Sequence, residues 1–223
     1  MVMSFFRKGS HGLDHIQSRA ATMLGDARHS FDLANTALLT GDTHESIADD
    51  IRATDHRINQ AEQDLRSELV VHVSVQGTSD IGTVLGFMLL LKKVERIGDQ
   101  AKNILDLAES GVSLANSPII DKLRAQQAEV SFLFGEAGQL LTDADETRSQ
   151  RFVQRVSELI TEYQAQIDAY MFSDLPGREV VPLAIYYRYL KRIVANLRGV
   201  IGVTLNPLPQ IDYLEDGTVD TDD

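Results

Sequence analysis

The chain has no cysteine, no tryptophan, only five prolines and no long apolar run. Without cysteine, neither a disulfide framework nor a thiolate metal site can form, which fits a reducing compartment. With few prolines, and with Val and Ile nowhere alternating for long with polar residues, the pattern favours helix over strand. The longest apolar stretch, residues 81–91, includes Gly82, Thr83 and Gly86. As a helix it would span about 16 Å, roughly half a bilayer core, so it is expected to be a buried helix of a soluble protein. Residues 1–12 carry Phe5, Phe6, Arg7 and Lys8 but no apolar run of an export signal, and are expected to be a frayed N-terminal arm. Positive charge is scarce: 21 Lys and Arg face 33 Asp and Glu, for a net charge of −12. That surplus of acid repels nucleic acid and anionic headgroups, so nucleic acid is not an expected partner. Gly-rich phosphate loops, nucleophile elbows and reactive thiols are missing as well, so no enzyme is expected.

What is present is helical period broken at five places. Breaks fall at Gly41-Asp42, at residues 76–80, at Asn116-Ser117-Pro118, at residues 142–145 and at residues 174–177. They leave segments of about 13–40, 43–75, 81–114, 119–141, 146–172 and 178–205, with Ser79 or Asp80 as the expected N-cap of the third. In the second segment Ile47, Ile51, Thr54, Ile58, Ala61, Leu65 and Leu69 recur at steps of three and four. In the third, Leu85, Met88, Leu89, Val94, Ile97, Ala101, Ile104 and Leu105 wrap more than one face, which predicts a helix enclosed by neighbours. Long helices with short joints make antiparallel neighbours. The expected fold is therefore all-α: six helices in two three-helix units, residues 13–116 and 117–205, forming one bundle. Residues 212–223 hold six acids and no base, and the stretch 206–223 is expected to be a solvated, disordered tail.

The residues that carry chemistry lie on the third segment. Glu95 and Asp99 are four apart, so they share a helical face, and it is also the face of Val84, Met88 and Leu91. Two like charges continuing an apolar stripe need compensation. Oxygen ligands suit Mg, Ca, Mn, Fe or Zn, while Lys92, Arg96 and Lys102 offer an alternative as simple salt-bridge partners. Asp55, Asn59 and Glu62 on the second segment stand at steps of four and three beside Ile58 and Leu65, and would complete a ligand set across two neighbouring helices. Glu68 and His72, and His11 and His15, have ligand spacing too, but these read as surface or boundary histidines.

Glu95-Arg96-Ile97-Gly98-Asp99-Gln100-Ala101-Lys102-Asn103-Ile104 resembles the signature of the PhoU family. So do residues 37–42 at the end of the first segment, the D-x-x-I-N-x-x-E pattern of residues 55–62, and the break at residues 78–80. The resemblance covers nearly the whole chain. It implies a cytoplasmic, non-enzymatic regulator of phosphate uptake that binds an iron or zinc ion, divalent or trivalent, through those acids. It implies as partners a phosphate ABC transporter with its ATP-binding subunit and a sensor histidine kinase, membrane contact only through partners, and a homodimer. A related setting is that of an accessory protein to a low-affinity phosphate permease. Two other readings stay open: a metal-free helical adaptor, and a metal-dependent enzyme, which would need an open coordination position and a general base.

The family repeats its motif in the second half, and this chain departs from it there. Lys191 and Ala195 stand at the expected acids and Val194 at the expected glycine, while Val153 and Ser157 fall near the acids of the fifth segment. A cationic Lys191 repels a metal, so the second site is expected to be lost, with Lys191 paired to Glu158 or Glu162.

Overall fold

The computed structural model describes residues 13–143 and 145–205. The expected N-terminal arm, His11 and the acidic tail lie outside them. The described residues form six helices and no strand: α1 Asp14–Thr40, α2 Glu45–Gln76, α3 Ile81–Glu109, α4 Ile120–Asp143, α5 Glu146–Met171 and α6 Gly177–Leu205. Among them no helix is long and apolar enough to cross a membrane.

Glycine shapes the corner after α1. Gly41 ends the helix at φ 79° and donates its N–H to the Ala37 carbonyl, a left-handed cap that a Cβ would strain. A Cβ there would also stand 3.0 Å from Ser113 Oγ in the α3–α4 loop. Two expectations need correction nearby. The third helix stops at Glu109, short of residue 114, because Gly111 turns the chain at φ 90°. Leu114 is buried by tertiary contact instead of helical period, and its N–H donates to the Leu38 carbonyl at 2.9 Å. Asp80 precedes α3 as expected, but its side chain caps nothing and pairs instead with His72 Nε2 at 3.1 Å. The capping side chain belongs to Asp145, which accepts from the Arg148 N–H at 3.0 Å and opens α5.

Helices α3 and α6 pack on each other, and α1 packs on both α3 and α4. These four make the inner layer. Helix α2 lies outside on α1 and α3, and α5 lies outside on α6. The α1–α4 pair is antiparallel: Arg28 Nε donates to Ser131 Oγ at 2.9 Å, while Asp32 Oδ1 accepts from Gln127 Nε2 at 2.8 Å. The apolar wrap of α3 is explained by its three neighbours, with Phe87, Leu90, Leu91, Val94, Ile97, Ala101 and Ile104 all buried. One side of its first turns is left open, with Ile81 40% exposed and Leu85, expected inside, 47% exposed, while Val84 and Phe87 between and beside them are buried.

One polar tie crosses the core. Tyr186 of α6 donates its hydroxyl to Asn35 Oδ1 of α1 at 2.6 Å, and Asn35 Nδ2 donates to the Phe31 carbonyl at 2.8 Å. Both side chains are buried, and burial holds the Tyr186 phenol well above its ordinary pKa, as a neutral donor. Tyr186→Phe leaves a buried amide oxygen without its donor and is expected to cost about 1–3 kcal/mol. At this chain length that is a fall in Tm of about 2–4 °C per kcal/mol, measurable by calorimetry.

Candidate metal centre

The site begins with a glycine. Gly98 lies on α3 against Ile58 of α2, and a Cβ on it would stand 3.2 Å from Ile58 Cδ1, tighter than most such contacts. Glycine therefore lets the two helices approach at this level. Glu95 and Asp99 flank Gly98 on α3, and Asp55 and Asn59 flank Ile58 on α2, so the approach draws acids of both helices to one seam.

Two lysines sit on that seam. Lys102 Nζ bridges the helices, 3.3 Å from Asp55 Oδ2 and 3.8 Å from Asp99 Oδ1. Asn59 Nδ2 donates to the same Asp55 oxygen at 3.3 Å. Lys92 Nζ lies 2.7 Å from Glu95 Oε2. Glu95 and Asp55 are largely buried, with side chains 13% and 19% exposed. The Asp99 carboxyl is nevertheless held above its usual range: burial raises it most, Glu95 and Asp55 add repulsion, and Lys102 and Lys92 oppose them only in part. Burial, more than repulsion, is thus what disfavours the ionised Asp99, on a seam where three carboxylates meet two lysines.

In kind, this donor set fits a hard or borderline cation, with carboxylates from two helices and one amide oxygen. In arrangement it is incomplete: among the described residues no three His, Asp or Glu side chains converge closely enough to hold an ion. Glu62 is buried but turned to its own helix, with Arg66 Nε 3.4 Å from its Oε1, and that oxygen has no hydrogen-bond partner. Of the expected site residues, Asp55, Asn59 and Asp99 are joined through Lys102, Glu95 pairs with Lys92 on its own helix and reaches Asp99 by charge through space, and Glu62 stands apart. Lys92 and Lys102, expected only as alternatives, take part in the linkage, whereas Arg96 is exposed. The histidines serve elsewhere: His15 lies 2.6 Å from Glu68 and His29 2.9 Å from Asp50, and His72 is the partner of Asp80.

The second half differs as its sequence suggested, with one correction. Lys191 pairs with neither Glu158 nor Glu162; its Nζ donates to Gln164 Oε1 at 2.6 Å. Arg155 has taken both acids, at 3.2 and 3.1 Å, along with Glu129 at 2.6 Å. Ser157, near an expected acid position, accepts from Arg198 Nη1 at 3.4 Å. Arg198 went unnoticed in the sequence, although its offset from Lys102 equals that of Lys191 from Glu95.

Together these features define an all-helical bundle with a carboxylate seam between its second and third helices. The PhoU domain family matches residues 20–108. The chain is 28% identical over 167 residues to a phosphate-specific transport system accessory protein PhoU homolog of Deinococcus radiodurans, over 70% of this chain and 74% of that one. Its fold is similar to that of PhoU from Pseudomonas aeruginosa, with TM-score 0.70 and 24% identity over 92% of this chain and 98% of that one. It is also similar to the phosphate transport system regulatory protein PhoU from Streptococcus pneumoniae, with TM-score 0.73 and 16% identity over 93% and 97%. At those identities the two structures show the fold alone. The resemblance to the PhoU family is thereby shown: α1–α3 carry a PhoU domain, within a chain of PhoU fold.

Two measurements test the seam. Gly98→Val is expected to force α2 from α3 and cost about 1–3 kcal/mol in urea unfolding, part of it returned by Ile58→Val in the same chain. For Asp99 the sign follows from its raised carboxyl: the folded state holds the proton more tightly than the unfolded one, so ionisation weakens folding above the usual carboxylate range. Asp99→Asn in chelator is therefore expected to raise Tm at pH 7. The side chain is 42% exposed, so solvent screening keeps the gain small. The gain should shrink as pH falls into the carboxylate range.

Proposed function

We propose that this chain is a regulatory accessory protein of phosphate transport, acting by binding and not by turnover. The observation that carries the reading is the PhoU domain over residues 20–108, supported by the curated relative's description as a phosphate-specific transport system accessory protein. The proposed partners are the ATP-binding subunit of a phosphate ABC transporter and a sensor histidine kinase, engaged from the cytoplasm by a homodimer. The two three-helix units are taken to divide at residues 116–117. Pull-down of the ATP-binding subunit by the tagged full chain, at physiological salt, is the expected outcome. Capture of a phosphate permease in its place would move the protein to that setting, and capture of neither would remove the reading.

We further propose that Asp55, Asn59, Glu95 and Asp99 hold an iron or zinc ion, with Glu62 as an added ligand. A bound cation would supply charge that Lys92 and Lys102 only partly provide, and would brace α2 on α3. The three carboxylates that two helices bring to the seam, against two lysines, and the oxygen donors there support this. Elemental analysis of purified protein is expected to find metal that is lost in Glu95→Ala and Asp99→Ala. In Lys102→Met, removal of the competing ammonium is expected to tighten the metal. Equal metal content in parent and all variants would end the proposal and leave a metal-free adaptor.

A further inference from the structure

The corner between α5 and α6 carries an apolar surface that the bundle does not cover. Met171, Phe172, Leu175 and Val181 all stand exposed there, Phe172 at 84%. Large apolar side chains grouped in water mark contact surfaces. The same corner forms one wall of a cleft of about 610 Å³, and the α3–α4 loop forms the other. Its apolar lining includes Leu114, Ile119, Tyr170, Val180, Pro182 and Leu183. Both walls are held in place before anything enters. The Leu114 N–H donates to the Leu38 carbonyl at 2.9 Å, and the Glu179 N–H donates to the Pro176 carbonyl at 2.8 Å. A preformed groove spares its occupant the cost of ordering it.

Extent and charge together narrow the occupant. A small molecule filling the cleft would leave Met171, Phe172 and Val181 in water, since none of the three lines it. An apolar surface that runs from the cleft onto its rim fits a polypeptide instead. Between residues 168 and 179 stand three acids, Asp168, Asp174 and Glu179, and one base, Arg178. All four are exposed, and among the described residues none of them has an ion-pair partner. That surplus of acid repels anionic lipid, and it repels a second copy bearing the same acids. It attracts a segment flanked by Lys or Arg. An amphipathic helix meets both demands, with apolar residues at steps of three and four for the cleft and basic residues beside them.

We propose that the cleft between the α3–α4 loop and the α5–α6 corner receives a basic amphipathic helix of a partner protein, with Phe172 and Leu175 as the apolar anchors on this side. The proposal rests on the reading of the chain as an accessory protein, and it assigns the docking of the ATP-binding subunit to this end of the bundle.

Biolayer interferometry of the purified ATP-binding subunit on the immobilised full chain tests this. Phe172→Asn and Leu175→Asn, both at exposed positions, remove apolar surface without adding charge. Each is expected to weaken binding about tenfold or more, with the unfolding midpoint of the parent retained. Phe132→Asn is the control: its exposed ring lies about 18 Å down α4 from Ile120, and binding is expected to stay as in the parent. Asp174→Asn with Glu179→Gln is expected to slow association and to flatten its salt dependence. Failure of the parent chain to bind would remove the accessory-protein reading and this docking surface with it. Binding by the parent that Phe172→Asn and Leu175→Asn leave unchanged would overturn the docking surface alone. A parent that sediments as a dimer, and as a monomer in Phe172→Asn, would overturn it in favour of a second copy in the cleft.

Discussion

The approach of α2 to α3 at Gly98 is the constraint on which the first half depends. A would-be Cβ there meets Ile58 Cδ1 at 3.2 Å, so glycine alone fits without something yielding. The consequence is electrostatic. Asp55 on one helix and Glu95 and Asp99 on the other are brought within mutual influence, and burial raises the cost of that company. Lys102 spans the gap because one ammonium can serve acids of both helices, at 3.3 and 3.8 Å. Packing and charge are here one problem: the closer the helices, the greater the need for a cation between them.

The second half handles the same geometry with different chemistry. Val194 stands where Gly98 does, and Lys191 and Ala195 replace the two acids. Lys191 donates to the neutral oxygen of Gln164, and Arg198 contacts the Ser157 hydroxyl. Arg155 gathers the acids of α4 and α5 to itself, and its guanidinium is held above its already high ordinary pKa chiefly by hydrogen bonds to Glu129 and Glu162, against the opposing effect of burial. A chain of net charge −12 thus keeps a local excess of positive charge along one helix.

The bundle itself was legible because helical period and its interruptions are local properties. Ile51, Ile58, Leu65 and Leu69 repeat along one face of α2 and are buried along that face. The positions of Glu95, Asp99, Asp55 and Asn59 could be read as one candidate seam, since spacings of four place side chains together on each helix. Leu114 shows where that reasoning fails. Its apolar character looked like a continuation of α3, yet it is buried by a loop that docks on Leu38 after Gly111 has ended the helix. Leu85 fails in the opposite sense, apolar but on an open side of α3, although Val84 and Phe87 at the same level are buried.

The amino-acid order by itself determined six helices, their buried faces, the charge carried by each, and the loss of the acidic motif from α6. Only the tertiary structure decided which charge answers which. Lys102 bridges to α2, Lys191 turns to Gln164 because Arg155 holds the acids, and Glu62 faces Arg66 instead of the seam. The physical reason is range. Period and propensity act within a few residues, whereas a long charged side chain chooses among acceptors on several helices, and that choice depends on separations that exist only once the helices are packed.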